Sequence, residues 1–335
     1  MTDLQHDPLR WGILSTAKIA SGHLLPAMAA SPGHTAVAVG SRDQDRANEW
    51  AAEHDIARAH RSYDELLADP SVEAIYNPLP NHLHVDWSIA ALEAGKHVLC
   101  EKPLGLDAAD AQRLVDAAAA HPDLVAMEGF MYRFHPQWIA AAELVQSGRI
   151  GAVKSIQTFF AYFNDDPANV RNNPEIGGGA LMDIGCYPIS QARMVLGAEP
   201  VKVTGSIELD PRFGTDRVTS ALLDFGDGTT AMFTVSTQME GFQRATIFGN
   251  EGRIEIDIPV NSPKDTTTSM TVTTATDHEV HAIGPVDQYG EQLDAFAAAV
   301  RSGTSAPVAL DDGVANMRVI DAIVEAASAS TWVDI

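Results

Sequence analysis

An aspartate and a tyrosine interrupt an apolar, helix-like run near the middle of the chain. The run GGGALMDIGCYPIS spans residues 177–190 and places Asp183 and Tyr187 four residues apart, a spacing that puts both on one face of a helix. A buried polar group without a partner costs about 1–3 kcal/mol. Gly185 and Pro188 also disfavour a plain core helix. The run therefore predicts a shaped site in which other groups meet the acid and the phenol.

A lysine at the end of a predicted buried strand is the second candidate. The segment KHVLCEKP places Glu101 and Lys102 directly before Pro103. The carboxyl ends of parallel strands face the ligand crevice of a doubly wound sheet. Packing explains a lysine there poorly, and a surface lysine with a buried stem is the alternative.

The hydrophobic pattern predicts the elements that carry these groups. Up to about residue 130, short β-rich runs alternate with Ala-rich helical runs, which is typical of a parallel sheet covered on both faces. We predict an α/β fold with a doubly wound parallel (Rossmann) sheet for residues 1–130. The strand candidates are 9–15, 35–41, 73–79, 96–102 and 124–129, and the helix candidates are 18–30, 44–54, 63–68, 82–94 and 107–120.

The pattern changes in the rest of the chain. A helix near 136–147 leads into a long β run and several alternating strands with turn sequences such as DFGDGTTAMF, and helices near 287–301 and 311–328 follow. Runs of strands with helices at the ends indicate an α+β domain. Residues 131–335 are therefore predicted to form one α+β domain with a large, mostly antiparallel open sheet.

The turn after the first predicted strand is a candidate phosphate site. In GILSTAKIA, Gly12 and Ala17 match the first and last positions of the G-x-G-x-x-G/A fingerprint, but Leu14 stands in place of the middle glycine. Ser15 and Thr16 offer hydroxyls and N–H groups at the start of a helix. We predict a dinucleotide phosphate here, with an ordinary capped turn as the alternative.

The end of the second predicted strand bears on the choice of dinucleotide. NAD-binding domains carry an acid there that bonds the ribose 2′-hydroxyl. This chain has Ser41 and Arg42, with Arg46 one turn further on, and arginine forms bidentate bonds to phosphate. The pattern predicts NADP, and Asp43 keeps NAD open as the alternative.

Composition and charge exclude several partners. The net charge of −23 repels nucleic acid and anionic membranes, and no apolar run reaches the roughly 20 residues of a membrane span. The first residues lack the pattern of a signal peptide, so a cytoplasmic protein is expected. Cys100 and Cys186 are interpreted as reduced buried thiols. His82 and His84 lack a nearby third ligand, and no metal site is predicted.

Six sequence segments of this chain resemble those of the glucose–fructose oxidoreductase/inositol dehydrogenase (Gfo/Idh/MocA) family. The resemblance covers nearly the whole chain and rests, in order, on GILSTAKIA, NPLPNHLH, EKP, EGFMYRFHP, NVRNNPEIGGGALMDIGCY and QYGEQLDAF. A tyrosine in the D-x-G-x-Y position is typical of the branch with dimeric dihydrodiol dehydrogenases, NADP-dependent D-xylose dehydrogenases and glucose–fructose oxidoreductase. Inositol dehydrogenases have histidine there, so Tyr187 argues against an inositol substrate.

The resemblance implies that Lys102, Asp183 and Tyr187 form the catalytic set. A free phenol has a pKa of about 10, and a neighbouring ammonium lowers it toward useful acid–base work. Tyr187 is expected to be the general acid/base, and Lys102 to tune it and to bind the substrate oxygen. Asp183 is expected to orient Lys102 or the sugar, and Arg171 to contact the substrate from its loop.

The same resemblance implies a nicotinamide site. Leu79, Asn81 and His84 are expected along the ribose with Glu101 nearby, and Tyr289 is expected to close the pocket, a core tyrosine being the alternative. The full predicted cofactor set is Gly12, Ser15, Thr16, Ala17, Ser41, Arg42, Arg46, Leu79, Asn81, His84, Glu101, Lys102 and Tyr289.

The resulting functional prediction is an NADP-dependent sugar or polyol dehydrogenase (EC 1.1.1.-). Its expected substrate is the C1 hydroxyl of an aldose such as D-xylose or D-glucose. An NAD-dependent glycoside hydrolase with transient oxidation and a non-catalytic dinucleotide-sensing protein stay open as alternatives. Tyr187 argues against the first, and the intact Lys102–Asp183–Tyr187 set argues against the second. In this family the open sheet supports a dimer, so a homodimer or a dimer of dimers is expected.

Overall fold

The chain divides into two compact units in the computed structural model, which describes residues 7–335. The first unit comprises the described residues up to Met131 together with Tyr289–Val314, and the second comprises Tyr132–Gln288 and Ala315–Ile335. The sequence-based division assigned all residues after 130 to the second domain, so Tyr289–Val314 is where the two divisions differ.

Packing explains why the segment Tyr289–Val314 groups with the first unit. The ring of Phe296 packs on Trp11 with 5.2 Å between ring centroids. Arg301 pairs with Glu73, its Nη1 lying 3.2 Å from Oε1. These contacts join residues far apart in sequence, and no local sequence pattern predicts them.

A parallel sheet forms the centre of the first unit. Its strands are β1 (Leu9–Leu14), β2 (His34–Gly40), β3 (Arg58–His60), β4 (Ala74–Asn77), β5 (His97–Glu101) and β6 (Ala126–Gly129). They pair in the order β3-β2-β1-β4-β5-β6, with every pairing parallel. This is the doubly wound order of dinucleotide-binding domains, so the predicted Rossmann sheet is confirmed.

Helices connect these strands at the predicted places. They are α1 (Leu25–Ala30), α2 (Gln44–Glu53), α3 (Tyr63–Leu67), α4 (His84–Glu93) and α5 (Ala108–Ala119). Asp43, Ser62 and Asp107 cap α2, α3 and α5, since each side chain accepts from the backbone N–H three residues on. A π-helix, Ala20–Leu24, precedes α1. The short strand β3 was not predicted, because RAH is partly exposed and carries no apolar run.

A large mixed sheet forms the second unit. Its strands are β7 (Val153–Phe163), β8 (Lys202–Leu209), β9 (Asp216–Asp224), β10 (Thr230–Ser236), β11 (Gln238–Gly249), β12 (Gly252–Ile256), β13 (Thr268–Thr274), β14 (His278–Ile283) and β15 (Val333–Asp334). Their order is β14-β13-β12-β11-β7-β10-β9-β8-β15. Only β7 and β10 pair in parallel among these described strands. The predicted α+β class with a mostly antiparallel sheet is confirmed.

One face of this sheet is buried and the other is more open. Ile156, Phe160 and Ile247 are buried, whereas Phe242 is 54% and Met232 40% exposed. Two helices of the unit are α6 (Pro136–Gln146) and α7 (Cys186–Leu196), and α8 (Gln288–Ser302) and α9 (Leu310–Ala329) lie between β14 and β15 in sequence. A π-helix, Leu181–Gly185, runs directly into α7. Of the helices in residues 7–335, none is both long and apolar enough to cross a bilayer.

Candidate active site

The turn after β1 has its unusual backbone conformation at Ser15. This residue has a left-handed φ of 67°, and its N–H donates to the Gly40 carbonyl at 2.8 Å. The conformation favours glycine but tolerates other residues in tight turns, so the reversal lies one residue beyond the missing middle glycine. Thr16 is buried and Ala17 is half-buried behind it. The predicted phosphate role of these three residues stays a prediction.

Gly12 lies inside β1, and packing accounts for it. A Cβ there would stand 2.9 Å from Val72 Cγ1 and 3.0 Å from Ile75 Cδ1, both closer than ordinary contact. The glycine therefore lets β1 approach the side chains of its own unit. A contact with the cofactor is not needed to explain its presence.

Two exposed arginines follow β2, close to one buried tyrosine. Burial raises the pKa of Tyr63, while the charges of Arg42 and Arg46 and a hydrogen bond from Arg42 oppose that rise. The Asp43 carboxylate is committed to capping α2, because its Oδ1 accepts from Arg46 N at 3.1 Å. Ser41 is buried, and its Oγ accepts from Asp43 N at 3.3 Å. The two exposed guanidiniums at this strand end fit a phosphate.

His84 joins the loop after β4 to the loop after β5. Its Nδ1 lies 2.7 Å from the Pro103 carbonyl oxygen, and its Nε2 lies 2.7 Å from that of Leu79. Burial lowers the pKa of His84 to about 4, so at neutral pH the ring has one N–H and donates to one carbonyl at a time. Both ring nitrogens face the main chain. The predicted place of His84 along the ribose stays a prediction, and the sequence showed neither carbonyl partner.

The end of β5 brings several of the predicted residues together. Glu101 Oε1 accepts from the Tyr76 hydroxyl at 2.7 Å. Burial, followed by Glu101 and more weakly Tyr289, raises the pKa of Tyr76, which places all three in one neighbourhood. Tyr289 is buried and stacks on His23, with 4.8 Å between ring centroids.

Lys102 is half-buried and is joined to Pro103 by a cis peptide bond. Its charge contributes to the low pKa of His84, after the larger effect of burial, so the ammonium lies near that ring. Leu79 is buried, and Asn81 opens a short 3-10 helix, Asn81–Leu83.

In the second unit, Asp183 receives two strong donors. Its Oδ2 accepts from the Tyr162 hydroxyl at 2.6 Å and pairs with Arg171 Nε at 2.9 Å. Asp183, and less strongly Tyr162 and Tyr187, raise the pKa of Arg171 against the opposing effect of burial. The structure thus brings the predicted Asp183, Arg171 and Tyr187 together. Sequence reasoning missed Tyr162, since it resembled the other alternating aromatics of β7.

Tyr187 lies in an aromatic setting at the start of α7. Its ring meets Tyr132 edge-on at a centroid distance of 5.9 Å and lies 6.2 Å from Phe160. The side chain is buried, with 5% of its surface exposed. A buried phenol beside the Asp183–Arg171 pair is suited to proton transfer.

Gly185 and Pro188 have local explanations. A Cβ on residue 185 would stand 2.8 Å from Leu181 Cδ1 and 3.4 Å from Val235 Cγ2, so the glycine permits packing of the helix on itself and on β10. Pro188 is the third residue of α7, and its missing N–H falls where the helix changes from π to α. The predicted shape is present as a π-to-α transition, and π-helical turns are frequent at functional sites.

Thiols and metal ligands complete the titratable groups of interest. Cys100 and Cys186 are buried thiols, and burial raises the pKa of Cys100. Over residues 7–335, no three His, Cys, Asp or Glu side chains lie close enough together to hold a metal ion.

Two family models match the chain. Residues 9–129 match the model described as an oxidoreductase family with an NAD-binding Rossmann fold. Residues 138–255 match the GFO/IDH/MocA C-terminal domain. The two matches fall in the first and second units respectively.

Similar proteins cover nearly the full chain. An uncharacterized oxidoreductase of Rhizobium meliloti is 44% identical, covering 97% of this chain and 99% of the relative. D-xylose 1-dehydrogenase (NADP(+)) 2 of Haloferax volcanii is 39% identical, covering 98% and 100%. The solved structure of a 3-ketoreductase from Actinomadura kijaniata with NADP and TDP-benzene has a TM-score of 0.89 at 32% identity, covering 95% and 98%.

Proposed function

Because this chain belongs to the GFO/IDH/MocA family of oxidoreductases, we propose that it is an NADP-dependent dehydrogenase of a sugar or polyol. Its substrate is the C1 hydroxyl of an aldose such as D-xylose or D-glucose. The observation that carries the proposal is the arrangement of Tyr187 beside the Asp183–Arg171 pair. A 39% identical relative named for NADP-dependent D-xylose oxidation supports the choice of substrate.

The residues at the end of β2 support NADP over NAD. Arg42 and Arg46 are exposed and lie near one hydroxyl, that of Tyr63. Asp43, the acid that could have faced a ribose 2′-hydroxyl, caps α2 instead. A 2′-phosphate would be held by the two guanidiniums, and the turn at Ser15 would hold the diphosphate. NADP supplies the hydride acceptor when it is bound.

Tyr187 is the proposed general base. In the oxidative direction it takes the proton of the substrate hydroxyl while the carbon loses hydride, which leaves a carbonyl product. Lys102 binds the substrate oxygen and stabilises the phenolate through its charge. The pKa of Arg171 is raised first by Asp183 and also by Tyr187. The positive charge of Arg171 in turn favours the Tyr187 phenolate.

Asp183 is proposed to orient the sugar. Its Oδ2 is fixed by Tyr162 and Arg171, and this pairing leaves the Asp183–Arg171 pair with no net charge. A neutral pair surrounded by hydroxyl-bonding groups suits an uncharged sugar.

The open face of the large sheet is the proposed surface for a homodimer or a dimer of dimers. Phe242 and Met232 are exposed there, and Phe242 packs edge-on against Phe159 at 5.8 Å. Contiguous exposed apolar side chains mark interaction sites. A cytoplasmic location is proposed as well, since reduced thiols such as those of Cys100 and Cys186 are typical of reducing compartments.

Initial rates at 340 nm test the function. NADP⁺ and NAD⁺ are compared with D-xylose, D-glucose, L-arabinose, myo-inositol and a trans-dihydrodiol. Reduction of NADP⁺ with an aldose is expected. Hydrolysis of an aryl glycoside without net cofactor reduction would support a glycoside hydrolase instead. Tight NADPH binding without turnover of any substrate would support a dinucleotide sensor.

A further inference from the structure

We propose that Asp216 is a positioning residue that holds the beginning of the helix carrying Asp183 and Tyr187. The inference rests on the proposed function, which assigns chemistry to those two side chains. Asp216 is the first residue of β9, far from the helix in sequence. Nothing in the sequence pattern marks it.

The Asp216 carboxylate bonds the first amide of the π-helix. Its Oδ2 accepts from Leu181 N at 2.7 Å and from Thr219 Oγ1 at 2.6 Å. Leu181 opens the π-helix that continues into α7. The first N–H groups of a helix lack partners within the helix, and a carboxylate there also complements the helix dipole. Asp216 therefore ties the helix start to the edge of β9.

The glycine before the helix adapts the chain to this carboxylate. Gly179 has a φ of 114°, and a Cβ at residue 179 would overlap Asp216 Oδ1. Gly179 also donates its N–H to the Arg171 carbonyl at 2.8 Å. Asp216 thus lies where the Arg171 loop and the helix meet. A change there would displace both partners of the Asp183–Arg171 pair.

The consequence for catalysis is geometric. The Asp216 carboxylate bonds groups of its own unit: Oδ2 accepts from Leu181 N and Thr219 Oγ1, and the Ala180 backbone also donates to the carboxylate. The residue therefore acts through the helix rather than on the substrate. A misplacement of about 1 Å in a reacting group can cost about 10²-fold in rate.

Asp210 provides a matched control on the same β-hairpin. It is buried, and its carboxylate accepts from Arg212 N at 2.6 Å and from Gln238 Nε2 at 2.5 Å. It follows β8 directly, and its bonds stabilise the hairpin turn. Asp210→Ala should thus lower stability without moving the helix.

The experiment compares Asp216→Ala, Asp216→Asn and Asp210→Ala in the full chain. We expect kcat of Asp216→Ala to fall by about 10²-fold with an unchanged Kd for NADPH. Asp216→Asn should stay within about tenfold of wild type, because its amide oxygen still accepts from Leu181 N. Asp210→Ala should lower the melting temperature and leave kcat within about threefold. Should Asp216→Ala fail to fold, Asp216→Glu keeps the charge, displaces the carboxylate and should lower kcat alone.

Hydrogen–deuterium exchange of the peptide covering residues 180–190 provides a readout independent of activity. Exchange should accelerate in Asp216→Ala and stay at the wild-type rate in Asp210→Ala. Equal exchange in the two variants, or equal losses of kcat, would overturn the positioning role. If the wild-type protein oxidises no sugar, the proposed function fails, while the exchange comparison still decides the role of Asp216.

Discussion

The two units hold their site residues in different ways. In the first unit, Ser15, Ser41 and Lys102 each follow directly from the end of a parallel strand, so the strand itself places them. In the second unit, Asp183 is held by Tyr162 from a strand 21 residues away in sequence. Asp216 holds the helix start from 35 residues away. The cofactor half is thus specified locally, and the half carrying the proposed base depends on long-range side-chain contacts.

Replacing the proposed base, Tyr187, should have the largest effect on activity. Tyr187→Phe keeps the aromatic contacts with Tyr132 and Phe160 and removes only the hydroxyl. We expect kcat to fall by about 10³-fold, within the range of general acid–base catalysis. NADPH binding, followed by fluorescence titration, should stay unchanged. Activity equal to wild type would remove Tyr187 from the role of base.

His84 differs from Ser15, Ser41 and Lys102, because its two carbonyl partners lie in separate loops. Its shifted pKa also makes stability depend on pH. Burial lowers its folded-state pKa from 6.5 to about 4. The unfolded chain therefore binds more protons between these values, so stability present above about pH 6.5 is lost as the pH falls toward 4. We expect this residue to remove about 2 kcal/mol of unfolding free energy between pH 7 and pH 5.

Urea unfolding at pH 7 and pH 5 measures this loss in wild type and in His84→Gln. His97 and His135 also have pKa values lowered by burial, but they are present in both proteins. The difference between the two pH dependences therefore reports His84 alone. Identical pH dependences would show that the His84 ring contributes nothing to acid sensitivity.

Removing the hydroxyl of Tyr162 should weaken the second unit's long-range support. Tyr162→Phe deletes the bond to Asp183 Oδ2 and leaves the Arg171 pairing in place. Hydrogen bonds to charged groups contribute about 1.5–3 kcal/mol, so kcat/KM for the sugar should fall by about tenfold. Steady-state kinetics with the concentrations of sugar and NADP⁺ varied in turn measures the effect. A change confined to the KM for NADP⁺ would contradict the assignment of Tyr162 to the substrate half.

The same division decides what the sequence could predict. The predicted family is confirmed. The Rossmann sheet and the mostly antiparallel sheet are confirmed as well, because periodic patterns and turn residues are local signals. Predicted strands such as 9–15 and 35–41 match β1 and β2 to within one residue at each end. The site roles predicted for individual residues stay predictions.

What the sequence could not show depends on pairing across distance. Tyr162 is one of several aromatic residues on β7, and the sequence gave no sign that its hydroxyl would bond Asp183. Gly185 indicated that the helix is not a plain core helix, and the sequence did not show that Leu181 and Val235 pack beside it. Phe296 packs on Trp11, a contact between opposite ends of the chain that placed Tyr289–Val314 in the first unit. Such contacts are fixed by tertiary packing rather than by propensity.

The smallest expected effect tests local specification in the cofactor half. Arg42→Ala removes one of two guanidiniums at the end of β2 and leaves Arg46, so the ratio of KM for NADP⁺ to KM for NAD⁺ should rise by about fivefold. Asp43 should continue to cap α2, and the melting temperature should stay near that of wild type. Parallel kinetics with the two cofactors measures the ratio. Because Arg42 is proposed to contact only the 2′-phosphate, kcat should barely change, whereas an equal loss with both cofactors would place Arg42 outside the phosphate site.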